Sequence, residues 1–344
     1  MVTITRIFKE IIRTIVLVLF VYCPLNTQAN NHDKDRFDIN SEFEIGGYLF
    51  AHMTRDDYGR LYYSLSKDGL HWQMLNNGKR VHDGYQGHPD IIAGHDGAFY
   101  MTGNKTNSRS PITLWRSEDL LEWELFTEHL PDLEKVPDFD ATEAYFGAPK
   151  IYYDSSDSIY MITWHTPSYE GESNFYTFWG GMRTLYCTSK NLIEFSLPMR
   201  LLPYDMATID VIIRREGSRY FAFIKDEQYP GFDWPTGKAI RVAVAEHPLG
   251  PYAAPSNKIS ASFREAPTII PSPQKDRYFL YYEKYPGLAY EMSVAQSMSG
   301  PWIDFYSMDF SIPDGVRHGC MIPLTADEFE TISQKYGPFE DNAE

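Results

Sequence analysis

Ser64-Leu-Ser-Lys-Asp-Gly-Leu-His-Trp72 decides the fold, because the same unit returns four more times along the chain. Each copy joins the Ser- or Ala-containing end of a strand to a short polar turn and then an aromatic residue. The other copies are Trp115-Arg-Ser-Glu-Asp-Leu-Leu-Glu-Trp123, Cys187-Thr-Ser-Lys-Asn-Leu-Ile-Glu-Phe195, Val244-Ala-Glu-His-Pro-Leu-Gly-Pro-Tyr252 and Val294-Ala-Gln-Ser-Met-Ser-Gly-Pro-Trp302. Two further strand-like segments recur between these units. One class is rich in aromatic and β-branched residues, as strands prefer: Tyr48-Leu-Phe-Ala-His-Met, Ala98-Phe-Tyr-Met-Thr, Ile159-Tyr-Met-Ile-Thr-Trp164, Tyr220-Phe-Ala-Phe-Ile and Tyr278-Phe-Leu-Tyr-Tyr282. The other class is shorter: His88-Pro-Asp-Ile-Ile, Ala148-Pro-Lys-Ile-Tyr-Tyr, Ile209-Asp-Val-Ile-Ile, Glu265-Ala-Pro-Thr-Ile-Ile and His318-Gly-Cys-Met-Ile.

A repeat of several short strands cannot bury both faces alone, so five of them must stack about an axis, as in a five-bladed β-propeller. The chain opens at Tyr48 without a short-class partner and ends on His318 to Leu324, a short-class strand without the rest. Pairing the two termini completes one blade and closes the ring. The propeller then occupies residues 45–330, with 30–44 as a lead-in and 331–344 as a tail. Helical periodicity is expected only at Ala326 to Lys335, where Asp327 and Glu328 occupy the first turn.

The first residues carry Arg6, Lys9 and Arg13, then an apolar run from Ile15 to Cys23 and a polar stretch containing Thr-Gln-Ala29. The run is about half of what a membrane span requires. The layout predicts a signal peptide over 1–29 and a periplasmic or secreted protein with no membrane attachment after cleavage. The whole chain has 31 Lys and Arg against 47 Asp and Glu, a formal charge of −16. Such an acidic surface repels nucleic acid, which is excluded as a partner. Three cysteines, Cys23, Cys187 and Cys320, leave room for at most one disulfide after cleavage, and none is expected. No zinc, redox or serine-hydrolase spacing occurs.

In a propeller the innermost strand of each blade lines the channel, so the residues opening the short-class strands converge: His88 and Asp90, Ala148, Asp210, Glu265, and Arg317 with His318. Several acids and a histidine in one funnel shift one another's proton affinities, the arrangement that acid and base catalysis uses. Glycoside hydrolysis needs one protonated carboxyl for the leaving oxygen and one group to activate water or attack carbon. Glu265, beside Ala266 and Pro267, is the candidate acid; Asp210 is the candidate orienter and modulator. Trp164, Trp179 and Trp234 are candidate sugar-stacking residues.

The strings Ala148-Pro-Lys-Ile-Tyr-Tyr-Asp154, Thr208-Ile-Asp-Val-Ile, Phe263-Arg-Glu-Ala-Pro-Thr-Ile-Ile and Val316-Arg-His-Gly-Cys resemble, in order, the blade signatures of glycoside hydrolase family 43. Gly47-Tyr-Leu-Phe-Ala, Ser66-Lys-Asp-Gly-Leu-His-Trp and Leu75-Asn-Asn-Gly are similar to its arabinofuranosidase- and xylosidase-like exo-enzymes. The resemblance implies an exo-acting, inverting hydrolase that releases a terminal pentose or furanose from an oligosaccharide or polysaccharide. It casts Glu265 as acid, Asp210 as modulator and His318 as an axial histidine that can hold a metal or water. No cofactor is required on this reading, although a structural ion such as calcium in the channel is compatible with it. Arg317 joins His318 as a substrate-binding candidate, and the enzyme is expected to be a monomer. Where the family has Asp-Pro, this chain has His88-Pro89-Asp90. Counting back from the turn glycines Gly97 and Gly217 places Asp90 level with Asp210, so Asp90 and His88 both stand as candidate bases. A neutral histidine base is chemically reasonable. Two alternatives accompany this reading: a degenerate propeller that only binds glycans, suggested by His88 in the base slot, and a glycoside phosphorylase, which would need a basic phosphate site.

Overall fold

The computed structural model describes residues 34–339 except 138, 140–143, 169–174, 230–236, 286, 288 and 307. Five sheets form five blades. From the axis outward they are Asp90–Ala93 (β4), Phe99–Asn104 (β5), Ile112–Ser117 (β6) and Glu124–His129 (β7); Gly147–Asp154 (β8), Ile159–Pro167 (β9), Met182–Ser189 (β10) and Met199–Arg200 (β11); Thr208–Glu216 (β12), Arg219–Asp226 (β13) and Ile240–Ala245 (β14); and Arg264–Pro271 (β15), Tyr278–Lys284 (β16), Ala289–Ala295 (β17) and Ile303–Phe305 (β18). The fifth blade combines both ends of the chain. Val316–Leu324 (β19) is innermost and pairs with Gly47–Thr54 (β1), followed by Asp57–Ser66 (β2) and Gln73–Met74 (β3). The register runs from Gly47 opposite Leu324 to Thr54 opposite Val316, the closure expected from the two incomplete ends.

The repeated unit has a physical cause. In the first copy Gly69 N donates to Ser66 Oγ, and Leu70 N and His71 N both donate to Asp68 Oδ1. Ser117 with Asp119, and Ser189 with Asn191, hold the same turn through equivalent bonds. Short polar side chains thus satisfy the turn's backbone N–H groups and aim the next aromatic inward. Trp72 lands against Phe50 and Tyr281, Trp123 Nε1 donates to buried Tyr63 Oη at 2.7 Å, and Trp302 meets Phe223. Each aromatic fills the wedge between blades, which splits the core into clusters rather than one centre.

Neighbouring inner strands are tied around the axis. Ile91 N donates to Cys320 Sγ, Ile151 N to Asp90 Oδ2, Ala266 N to Asp210 Oδ2, and Met321 N to Thr268 Oγ1, while Thr163 Oγ1 on the second strand β9 reaches Val211 O of β12, which packs beside β8. The order around the channel is therefore β19, β4, β8, β12, β15 and back to β19.

Of the α-helices among the described residues, one departs from the sequence reading and the other falls where it was expected. Phe175–Gly180 (α1) is one turn and a half, too short to show a period in sequence. The C-terminal helix, Ala326–Tyr336 (α2), extends past residue 330 and buries Phe329 and Ile332. Thr325 and Glu328 form its capping box. Arg36 from the lead-in grips Glu328 in a bidentate pair at 2.6 and 2.7 Å, fastening the N-terminal segment to the helix. Cys187 and Cys320 are both buried and unbridged. Among the described residues no helix is long and apolar enough to cross a membrane.

Candidate active site

The inner strands share a bulge at their channel-facing start. Their ladders break between Gly147 and Lys150, Ile209 and Ile212, and Glu265 and Thr268; β19 breaks opposite His52 and Met53. Ala148, Asp210, Ala266 and His318 sit in these breaks with φ between 25 and 50°. Non-glycine residues rarely adopt this conformation, which here turns the residue toward the axis.

The breaks settle which residue of the first complete blade is level with them. Asp90 pairs with Thr102 as Lys150 pairs with Thr163. Thr102 Oγ1 donates to Pro149 O just as Thr163 Oγ1 donates to Val211 O. Asp90 is thus equivalent to Lys150, and His88, two residues earlier, is level with Ala148, Asp210, Ala266 and His318. The count from the turn glycines misleads because five residues, 94–98, separate β4 from β5, whereas Gly217-Ser218 alone join β12 to β13. Asp90 is buried, with Oδ2 committed to Ile151 N and Oδ1 sealed from solvent. It is a carboxylate of the ring's frame, not one facing the funnel.

His88 and His318 stack, with ring centroids 4.8 Å apart and planes 14° from parallel. Burial, reinforced by charged His318, drives the proton affinity of His88 well below the ordinary histidine range and leaves it neutral. Its Nε2 shares a 2.8 Å hydrogen bond with Tyr58 Oη. For His318, the hydrogen bond and charge of Glu265 overcome burial and raise the proton affinity. The stack therefore holds one neutral and one readily protonated imidazole.

Glu265 remains partly open to the funnel, with 14% side-chain exposure. Its Oε1 lies 3.1 Å from His318 Nε2 and 3.4 Å from Arg317 Nη2. Burial pushes its carboxyl up, but the His318 contact and the Lys225 charge outweigh burial and hold it below the usual range. Asp210 is buried, accepting from Ala266 N at 3.2 Å; despite desolvation, His318, His165 and Lys150 hold its pKa down at about 2. His165, on β9, is lowered to about 4 by burial. Its ring crosses Gly147, where an added Cβ would lie 2.1 Å from Nε2, so that glycine makes room for it.

Several participants lie off the inner strands. Glu283, on β16, is directly opposite Glu265 in the ladder and is wholly buried. It accepts from His318 N at 3.2 Å, and its Oε1 lies 2.5 Å from Arg317 Nε without hydrogen-bond alignment. Burial raises its carboxyl. Lys225 and Lys238 both pair with Glu227 behind Glu265; desolvation lowers them to about 7 and about 8. Tyr58 enters from the start of β2. The sequence signal for Glu283 and Lys225 was a charged residue ending an otherwise apolar strand; Tyr58 had none.

The aromatic candidates divide. Trp164 is buried against Phe146 in an interblade core and has no face to offer a sugar, a correction to its stacking role. Trp179, half-buried on α1, belongs to an edge-on group with Phe178 and Tyr145, and Tyr145 meets His165. That places Trp179 at the rim. Trp234 lies outside the described residues.

Glu265 Oε1, a Glu283 oxygen and His318 Nε2 lie within 4.8 Å of one another, a possible cation cage. The donors do not fit calcium, which takes six to eight oxygens. Among the described residues two side-chain carboxylates converge here, and both already face Arg317 and His318.

A carboxyl on β15, an ionised aspartate on β12 and a neutral imidazole on β4 thus meet around His318 at one mouth of the channel. Residues 44–330 match the family described as "probable glycosyl hydrolase domain", related to glycoside hydrolase family 43. The chain belongs to this glycoside hydrolase family 43 group, a group of O-glycosyl hydrolases. No curated protein matches the chain. In fold it is similar to the exo-β-1,3-galactanase of Clostridium thermocellum, with a TM-score of 0.51, 16% identity, and coverage of 67% of this chain and 49% of that one. The exo-β-1,3-galactanase of Phanerochaete chrysosporium, solved with β-1,3-galactotriose, gives a TM-score of 0.51 and 15% identity over 75% of this chain and 54% of that one. A xylan β-1,4-xylosidase of Bacillus halodurans gives 0.49 and 15%, over 64% and 42%. The chain thus spans about half the length of these structures. The two galactanases share its overall fold.

Proposed function

We propose that the protein is an exported exo-acting glycoside hydrolase that removes a terminal sugar with inversion of configuration. Glu265 serves as general acid, Asp210 as the ionised modulator, and His88 rather than Asp90 occupies the base position. The observation supporting this is that Glu265 and His88 stand at the channel-facing starts of two inner strands, β15 and β4, that are not neighbours, with His318 between them, since inverting hydrolysis protonates one face and brings water from the other. In the step itself, the Glu265 proton passes to the departing glycosidic oxygen. As the attacking water's oxygen bonds to the anomeric carbon, its proton passes to Tyr58 Oη while the Tyr58 proton passes to Nε2 of neutral His88. Asp210 stabilises positive charge developing on the sugar ring, and Arg317 with His318 orients Glu265. A terminal pentose or furanose follows from the sequence resemblance, while a terminal galactose is the class acted on by two proteins of similar fold. Export rests on the sequence of residues 1–29, and mass spectrometry of the mature protein tests it.

A glycan-binding protein without turnover is a second reading, favoured by the ionised resting state of Glu265. Activity against nitrophenyl pentosides, furanosides and galactosides and the matching oligosaccharides decides between them. Release of a monosaccharide that initially has the opposite anomeric configuration, followed by NMR, supports hydrolysis. Binding without turnover across the panel defeats it. Arg264, one of the two arginines a phosphorylase could use, is held bidentately by Glu291 at 2.7 and 2.6 Å.

A further inference from the structure

Around the channel β15 lies between β19 and β12, so Glu265 has two flanks. Arg317 and His318 of β19 occupy one of them. On the other, toward the blade of β12, β13 and β14, stand three aromatic rings that the reaction as described does not use: Tyr229, Phe263 and Tyr285. Phe263, two residues before Glu265, meets both of the others edge-on, with ring centroids 6.2 Å from Tyr229 and 6.0 Å from Tyr285 and planes 81° and 80° apart.

The group is built onto the backbone that carries Glu265. Tyr285 N donates to Phe263 O at 3.1 Å, and Arg264 N donates to Lys238 O at 2.9 Å. Phe263 has a φ of 63°, which a bulky residue adopts only where its surroundings impose it, and such strain gathers at functional sites. Lys225 and Lys238, both paired with buried Glu227, set their ammonium groups 5.2 Å from the Tyr285 ring and 5.4 Å from the Tyr229 ring. A cation held by a buried carboxylate fixes the ring it faces. The charge of Glu265 acts on Lys225, Lys238 and Tyr285, so the group lies beside that carboxylate.

The rings are nevertheless open to solvent. Tyr229 is 52% exposed, and Phe263 and Tyr285 are partly exposed. Aromatic rings held in place but left uncovered, next to a carboxyl that handles the substrate, form a surface made to be covered by something else.

We propose that Tyr229, backed by Phe263 and Tyr285, is the platform for the leaving-group sugar and selects what the terminal sugar is attached to. The proposal rests on Glu265 being the general acid. The departing oxygen must then come within hydrogen-bond reach of its carboxyl, about 3 Å. With Arg317 and His318 filling the β19 flank, the ring beyond that oxygen lies on the Tyr229 flank. An exo-acting enzyme takes one sugar into the funnel, so the rest of the chain leaves over the rim on this side. The C–H face of a sugar ring covers an aromatic ring in a way that a small alcohol does not, so the leaving group is a sugar.

Titration calorimetry and kinetics on Tyr229→Ala and Tyr229→Phe test this. Binding is measured in the Glu265→Gln background with β-1,3-galactobiose, xylobiose and arabinobiose, each against its monosaccharide. Turnover is measured with Glu265 intact on the same disaccharides and on galactosyl, xylosyl and arabinofuranosyl fluorides, whose fluoride departs without a platform or a protonated acid. Tyr229→Ala should weaken binding of the disaccharide and lower its kcat/KM, each by about tenfold, with the loss confined to the disaccharide. Tyr229→Phe, which keeps the ring, should restore both. Because Tyr229 is exposed, both variants should keep the wild-type thermal melt. Three outcomes overturn the proposal: no disaccharide bound more tightly than its monosaccharide, disaccharide binding unchanged in Tyr229→Ala, or equal losses on disaccharide and fluoride, which would place Tyr229 at the terminal sugar. Wild-type protein that hydrolyses neither substrate type defeats the hydrolytic reading instead, and the calorimetry then decides on the platform by itself.

Discussion

Glu265→Gln keeps the size of the side chain and one hydrogen-bonding oxygen, but it removes the proton destined for the leaving group and the charge facing Arg317 and His318 at 3.4 and 3.1 Å. A positioned general acid contributes about 10²–10⁴ in rate. For an alkyl or sugar leaving group, which departs poorly as an alkoxide, the expected loss in kcat/KM is about 10³, equivalent to about 4 kcal/mol of barrier. A dinitrophenyl leaving group needs little protonation, so the loss there is within about tenfold. The assay compares kcat/KM on the two substrate types for wild type and variant, with a thermal melt to establish folding. The alkaline limb of the pH profile also disappears in the variant. Equal losses on both leaving groups would refute the acid assignment and make Glu265 a binding residue; undiminished activity on both would refute any role for it.

Further outcomes follow from the charges and the core. Asp210 is depressed to about 2, so its contribution, about 2 kcal/mol, is present above its ordinary value near 3.8 and lost as pH falls through 2. Buried His52 and His165 are lowered to about 4 from 6.5, so the unfolded chain binds their protons first. Stability should therefore fall by up to about 1.4 kcal/mol per pH unit for each between 6.5 and 4, measured by urea unfolding, and His52→Gln should flatten that slope. Trp164→Ala should cost about 3–5 kcal/mol in stability. Trp179→Ala should instead raise KM with a small change in melting temperature, and the reverse pattern would place Trp164 in the funnel. Gly319 has φ +150°, and a Cβ there would lie 2.1 Å from Ala51 O across the closing pair. Gly319→Ala should lower the melting temperature by several degrees or prevent folding, while an unchanged melt would mean that the β1–β19 closure tolerates displacement.

The propeller was legible because its repeat is local chemistry. Ser66 with Asp68, and their counterparts, hold a turn that any reader of the sequence can count, and the two incomplete ends pointed to ring closure. Glu265, Asp210 and His318 were legible as the residues that open the inner strands. Position within a bulge was not. The extra residue at Ala148, Asp210 and Ala266 leaves no sequence mark, and the long 94–98 loop shifted the apparent level of Asp90 by two. Glu283 escaped because it comes from the second strand and reaches the site only through ladder pairing with Glu265. Trp164 shows the complementary error: on an alternating strand, the residue beside His165 faces the core.

The central claim is that His88, and not Asp90, completes the funnel. Its direct test is kcat/KM of His88→Ala and Asp90→Asn measured side by side. The amide introduced by Asp90→Asn retains an oxygen for Ile151 N but loses the carboxylate charge, so this variant should have a lower melting temperature while turnover stays within a fewfold of wild type. His88→Ala should remain folded and lose about 10² or more in kcat/KM. A severe loss of turnover in folded Asp90→Asn, with His88→Ala close to wild type, would contradict the account.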